Sequence, residues 1–169
     1  MKKLLQAIEN DSLVEVKRLL KEHKYDLNKD VAIGTEYELD EYDEIPLLFY
    51  LIQNRASLEM IKLLVEHGMN LHKTTKEGVG AIDIAIKYHR LDVLEYCKEQ
   101  GIDIVNSQRK SGLTPLMLAT CFNDVKIMQY LIENGAKIEQ RDNFGMNALD
   151  YAKKLRQKSA MEFLQKYQN

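Results

Sequence analysis

The sequence predicts an all-α fold built from stacked copies of one helix–turn–helix unit. Its 169 residues suffice for one compact domain or a short array of repeats. The segment that starts at Gly112 recurs at Gly78 and at Gly145, and a divergent copy surrounds Pro46. If Pro46, Ala81, Pro115 and Ala148 are equivalent, the copies are separated by 35, 34 and 33 residues. A period in this range is typical of repeat proteins, whose copies bury their apolar faces against each other.

The N-terminal segment completes the array as a capping copy. The spacing from Ala7 to Leu19 is the spacing from Ala119 to Leu131. We therefore expect one domain over residues 1–169, with an inserted acidic segment at 29–44 and five copies at about 2–28, 40–72, 73–107, 108–140 and 141–169.

Capping and apolar spacing predict two short helices in the fourth copy. Thr114 suits the N-cap and Pro115 the first helical position, where its missing N–H is not needed. Asn123 and Asp124 interrupt the pattern, and a second apolar stripe runs to Gly135, the predicted left-handed C-cap. The corresponding breaks in the other copies are expected at Asp11, Asn54, His89 and Arg156.

These residues resemble the ankyrin repeat. The family pattern Gly-x-Thr-Pro-Leu-His-x-Ala is met by Gly112, Thr114, Pro115, Leu116 and Ala119. The usual histidine is absent from the four copies, where its place is taken by Leu48, Asp83, Met117 and Asp150. The resemblance implies an α-solenoid with hairpin-like loops at one edge and the shorter helices lining a concave face. It also implies a non-enzymatic module that needs no cofactor and binds another protein through the concave face and the hairpin tips.

The inserted segment is strongly acidic. Residues 30–44 contain seven Asp or Glu and no Lys or Arg, and the alternation of Tyr37, Leu39 and Tyr42 with acids favours two short strands around Gly34. One interpretation is an acidic finger that captures a basic partner, as in an inhibitor that neutralises a basic enzyme or toxin. The other is a solvated loop. The partner-binding candidates here are Glu38, Asp40, Glu41, Tyr42, Asp43 and Glu44.

A second set of candidates is apolar with a basic rim. These positions are variable and exposed in ankyrin-like repeats, and the later copies make them apolar, which indicates an interaction surface. The alternative is that they pack between neighbouring copies. The set comprises Val79, Tyr88, Leu113, Cys121, Phe122, Phe144, Met146 and Leu155, with Lys87, Lys110 and Lys154 at the rim.

Composition excludes several other functions. The net charge of −2 provides no general field for nucleic acid, and no run of about 18 apolar residues predicts a membrane span. The two cysteines and the polar residues near the N-terminus predict a cytoplasmic protein without a signal peptide, and we expect it to be monomeric on its own. Four dispersed histidines predict no metal site. Asp83 and Asp150 are expected to cap helices or bridge copies rather than to catalyse a reaction, and the basic run 153–158 is expected to be a solvated cap.

Overall fold

The protein is built from pairs of short helices. The structure, a computed structural model, describes residues 1–33 and 43–168, without the side chains of Ile33 and Asp43. It divides into two compact units, Met1–Leu71 and His72–Asn169. The first unit contains helices α1 (Lys2–Glu9), α2 (Leu13–Glu22), α3 (Leu47–Gln53) and α4 (Leu58–Glu66), and strands β1 (Asp30–Ile33) and β2 (Asp43–Pro46).

The second unit contains three helix pairs. They are α5 (Ala81–Lys87) with α6 (Leu91–Glu99), α7 (Pro115–Cys121) with α8 (Val125–Glu133), and α9 (Ala148–Lys154) with α10 (Lys158–Gln165). Within each pair the two helices pack together, and α7 also packs against α5 and α9. The all-α class predicted from the sequence is therefore confirmed.

A left-handed residue makes the turn between the helices of each pair. Asp11, His89, Asn123 and Arg156 have φ values of 48°, 56°, 54° and 55°, at the four breaks predicted for these copies. Such values are uncommon outside glycine, and Asn, Asp and His tolerate them better than most residues. The glycines that follow the second helices also behave as predicted, because Gly135 has a φ of 99°.

The second copy is displaced by one residue from the prediction. Its left-handed residue is Arg55, with a φ of 58°, rather than Asn54. Pro46 still belongs to strand β2, where it pairs with Asp30, so its extended backbone delays the helix to Leu47. Pro46 is thus equivalent to the N-cap Thr114 and not to Pro115, and the turn in this copy is one residue longer than in the fourth.

The strand pairing also corrects the prediction for the acidic insert. The antiparallel pair matches Val31 with Ile45 and Ile33 with Asp43. Strands turning around Gly34 would instead have paired Ile33 with a residue just after that glycine. The rest of the predicted finger, residues 34–42, lies outside the described residues.

The core of the second unit lies between successive first helices. Ile86 and Thr120 occupy equivalent positions in α5 and α7 and are fully buried, and the Thr120 hydroxyl donates to the Leu116 carbonyl at 2.8 Å. The equivalent residue of the last copy is Lys153, which is exposed. A cation at this position gives the last copy a polar outer face, as terminal repeats require. Residues 153–156 and 158 are exposed, as predicted for a solvated cap, whereas Gln157 is half-buried.

Loops before the first helices stack on one another in the second unit. We call residues 75–79, 109–113 and 142–146 the tip loops. The Lys110 amide donates to the Glu77 carbonyl at 3.1 Å, and the Asn143 amide donates to the Ser111 carbonyl at 3.0 Å. Gly78 has a φ of 85°, and a Cβ atom there would lie 2.0 Å from the Gln108 carbonyl oxygen. The first two tip loops can approach this closely because residue 78 has no side chain.

Gly78→Ala is therefore expected to destabilise the protein more than a matched change in the last tip loop. Gly145 has a similar φ of 76°, but a Cβ atom there would meet nothing within 4 Å. Both substitutions carry the left-handed penalty, and Gly78→Ala adds a backbone clash worth about 1–3 kcal/mol. Urea unfolding of the two variants measures this difference. Equal free energies of unfolding would show that the tip loops do not pack as described.

Candidate functional site

Carboxylates at the third helical position fix two of the three first helices in the second unit, α5 and α9. Asp83 accepts from the Gly80 amide at 2.9 Å and from Arg109 Nε at 2.6 Å. Asp150 accepts from the Asn147 amide at 3.1 Å and from Arg141 Nη1 at 3.1 Å. These are capping bonds and ion pairs, so the structural role predicted for Asp83 and Asp150 is confirmed.

Asp142 holds the last tip loop in shape. Its carboxylate accepts from the amides of Phe144 and Met146 at 2.9 and 3.0 Å and from the Tyr151 hydroxyl at 2.6 Å. Burial alone would raise the pKa of Asp142, but these hydrogen bonds to the ionised form outweigh it and lower the pKa. Burial, followed by the bond to Asp142, raises the pKa of Tyr151 to about 12. The loop that carries Phe144 is thus rigidly supported.

The apolar candidates form two rows. The tip row consists of Val79, Leu113 and Met146, which are half-buried and directly precede the N-caps of α5, α7 and α9. Phe144 stands beside this row with 76% of its surface exposed. The ring is therefore available to a partner on a loop that Asp142 keeps fixed.

The helix-end row lies at the other end of the same helices. Tyr88, Phe122 and Leu155 are the C-caps of α5, α7 and α9, so each helix separates the two rows by about 10 Å. Phe122 makes an edge-to-face contact with His89, with centroids 6.4 Å apart, whereas Leu155 is 46% exposed. Phe122 therefore contributes to packing between copies, and Leu155 is accessible. Use of both rows by one partner stays a prediction.

Three lysines lie near the rows, as the sequence suggested. Lys87, Lys110 and Lys154 are exposed, and Lys87 Nζ lies 5.5 Å from the centroid of the Tyr88 ring. An ammonium group in this position is attracted by the ring quadrupole. A basic rim formed by the three lysines stays a prediction.

The two cysteines occupy different environments. Cys97 is fully buried in the core, and burial raises its pKa to about 12, so its thiol is inert. Cys121, one of the candidate contact residues, is half-buried rather than exposed. Burial also raises the pKa of Cys121, and its carbonyl accepts from Gln157 Nε2 at 2.6 Å. The bond ties the end of α7 to the next copy.

The acidic candidates are only partly described. Glu44 is exposed on β2 opposite Ala32, and Asp43 pairs with Ile33 through the backbone. Glu38, Asp40, Glu41 and Tyr42 lie outside the described residues, so their role as a contact surface stays a prediction.

The dispersed histidines of the sequence did not predict one grouping. His23 and His67 line the same cleft in the first unit although they are 44 positions apart. The fold explains this, because each is the C-cap of a second helix and α2 packs against α4. Nevertheless, within residues 1–33 and 43–168 no three His, Cys, Asp or Glu side chains form a group that could hold a metal ion.

Comparison with known proteins identifies the family. The model for ankyrin repeats in three copies matches residues 4–108 and 99–169. The chain belongs to the ankyrin-repeat family. The resemblance deduced from the residues around Gly112 is thereby confirmed. Ankyrin repeats generally act as protein–protein interaction modules and are typically not enzymes.

Several relatives are much longer than this chain. An ankyrin repeat protein of Acanthamoeba polyphaga mimivirus is 25% identical over 97 residues, which cover 57% of this chain and 13% of the viral protein. The human transient receptor potential cation channel subfamily A member 1 is 23% identical over 141 residues, 83% of this chain and 12% of the channel. An ankyrin repeat protein of Borreliella burgdorferi is 27% identical over 140 residues, 83% of this chain and 58% of that protein. This chain thus spans about an eighth of the first two relatives. No described helix has the length and apolarity to cross a bilayer.

Proposed function

We propose that this ankyrin-repeat protein binds a protein partner through the tip row, the helix-end row and Phe144, without catalysing a reaction. The observation that carries the proposal is Phe144, a large apolar side chain that is 76% exposed on a loop fixed by Asp142. Aromatic side chains presented in this way are common anchors of protein interfaces, because little entropy is lost when they are buried. The partner's contact would be apolar at its centre and acidic where it meets Lys87, Lys110 and Lys154.

The titratable groups near the rows support a binding role. Asp83 and Asp150 are engaged by helix N-termini and arginines, and Asp142 and Tyr151 bind each other. Groups held in this way serve the fold rather than proton transfer to a substrate. We also propose a monomer in the cytoplasm, a reducing compartment that suits two free thiols.

Loss of Phe144 and Leu155 tests this surface. The double variant Phe144→Ser/Leu155→Ser is expected to lower recovery of the physiological partner at least about tenfold, because truncating an interface anchor typically costs 2 kcal/mol or more. The measurement is affinity capture by the tagged full chain from its native cells, with quantitative mass spectrometry and circular dichroism of each variant. Val14→Ser is the control, since Val14 is 82% exposed in the first unit. Equal recovery by both variants and the unchanged protein would refute the proposed surface.

A second candidate is an inhibitor that neutralises a basic enzyme or toxin. The seven acids of residues 30–44, without Lys or Arg, favour it. In the same capture experiment, this candidate predicts that a variant with amides in place of Glu38, Asp40, Glu41 and Asp43 recovers no partner. The Phe144/Leu155 variant would recover the partner normally. The opposite pattern supports the principal proposal.

A further inference from the structure

We propose that a cleft in the first unit binds a small oxyanion, a carboxylate or phosphate monoester carried on an apolar group. The cleft has a volume of about 280 Å³ and lies where α2 and α4 end. Its lining residues are Leu20, His23, Lys24, Tyr25, Leu27 and His67. The site lies within residues 1–71 and does not depend on the protein-binding surface proposed for residues 72–168.

Basic groups dominate the polar lining of the cleft. His23, Lys24 and His67 line it, and no carboxylate among the described residues does so. None of these three side chains forms an ion pair with another described residue. Glu22, next to His23, is already bound to Arg18 Nη1 at 2.8 Å. The Lys24 ammonium and an N–H of the His23 ring are free to donate to an anion.

Hydrogen bonds engage some of the helix C-terminal carbonyls next to the cleft. These carbonyls carry partial negative charge, which would disfavour an anion if they faced the cleft unbonded. The Leu19 carbonyl accepts from the His23 amide at 2.9 Å, and the Leu63 carbonyl accepts from His67 Nδ1 at 2.8 Å. His67 Nδ1 therefore donates to the backbone, so Nε2 can donate to an oxyanion only when the ring is the doubly protonated imidazolium.

The remaining lining residues define the other end of the ligand. Leu27 is 4% exposed and Leu20 is half-buried, and the Tyr25 ring meets His23 edge to face with centroids 5.9 Å apart. Since a cavity of about 150 Å³ holds benzene, the cleft has room for an aromatic ring as well as an oxyanion. Phenyl phosphate and benzoate combine these two features.

The net charge of the first unit does not attract anions, so only direct contact with the basic groups of the cleft can hold one. Residues 1–71 contain nine Lys or Arg and fourteen Asp or Glu, so this unit as a whole repels anions. An anion that binds it must therefore reach the basic groups directly. This distinguishes the cleft from the lysines scattered along α2.

NMR titration of the full, isotope-labelled chain tests the proposal. Phenyl phosphate is expected to shift the amide signals of residues 20–27 and 67, and inorganic phosphate to bind more weakly because it lacks an apolar group. His23→Gln/His67→Gln and Lys24→Gln are each expected to weaken binding about tenfold, the usual effect of losing charge-assisted hydrogen bonds. Lys17→Gln/Lys21→Gln is the control, because it removes two exposed cations of α2 outside the cleft.

Three results would overturn the site. Shifts spread over the surface, or absent at residues 20–27 and 67, would show that the cleft is not a ligand site. If the control pair weakened anion binding equally, the effect would come from net charge and not from the cleft. Equal affinity for inorganic phosphate and phenyl phosphate would refute the apolar half of the ligand. Benzoate separates the two oxyanions, since a carboxylate site binds it as tightly as phenyl phosphate.

Discussion

Leu116→Ala is expected to lower the free energy of unfolding by about 2–5 kcal/mol. Leu116 is 1% exposed in α7, the helix that packs against α5, α8 and α9. Truncation removes buried apolar surface and leaves a cavity that three neighbouring helices cannot fill without moving. Because those contacts support copies on both sides, the effect should lie at the upper end for a core leucine.

Urea unfolding followed by far-ultraviolet circular dichroism measures this effect. Leu155→Ala is the matched control, because Leu155 is 46% exposed and its truncation should cost less than about 1 kcal/mol. A loss below 1 kcal/mol for Leu116→Ala would mean that α7 is not the central helix of the second unit.

The sequence predicted the helix pairs because their determinants are local. Thr114 accepts from the Met117 amide at 3.2 Å, as an N-cap should, and the left-handed turns fall at Asp11, His89 and Asn123. Each of these depends on residues within a few positions of one another. The repeats strengthened this prediction, because the clear fourth copy identified the divergent copies.

The sequence predictions were wrong or incomplete where contacts between residues far apart in the sequence determine the structure. Pro46 is a good first helical residue by itself, but its pairing with Asp30 keeps it in β2 and shifts α3 by one residue. The meeting of His23 with His67 depends on the packing of α2 on α4. Neither contact has a signal in the local sequence, although the repeat register would have placed both histidines near the ends of second helices.

The partner-binding surface could be predicted only as a list of positions. The repeat alignment named the residues before each N-cap and at each first-helix end, and the structure separates them into two rows. It also distinguishes exposed Phe144 and Leu155 from Phe122, which packs on His89. This difference depends on neighbouring copies, so equivalent positions in the repeat do not share one environment.

The copies of this protein are stable because they stack. The last copy covers α7 through α9, and it binds the preceding copy through the Gln157 bond to the Cys121 carbonyl and a 2.9 Å bond from the Ala160 amide to Asn123 Oδ1. Removing residues 141–169 would expose Thr120 and the apolar residues around it, which are now buried. Loss of an interface of several kcal/mol corresponds to a fall in melting temperature of about 10 °C or more.

Thermal unfolding of the chain shortened to residues 1–140 is therefore the most direct test, with a chain ending at Gln165, the last residue of α10, as its control. Mutual support between copies predicts that the shortened chain melts at least about 10 °C lower while the control melts with the full chain. A melting temperature unchanged by loss of the last copy would show that the copies do not stabilise one another.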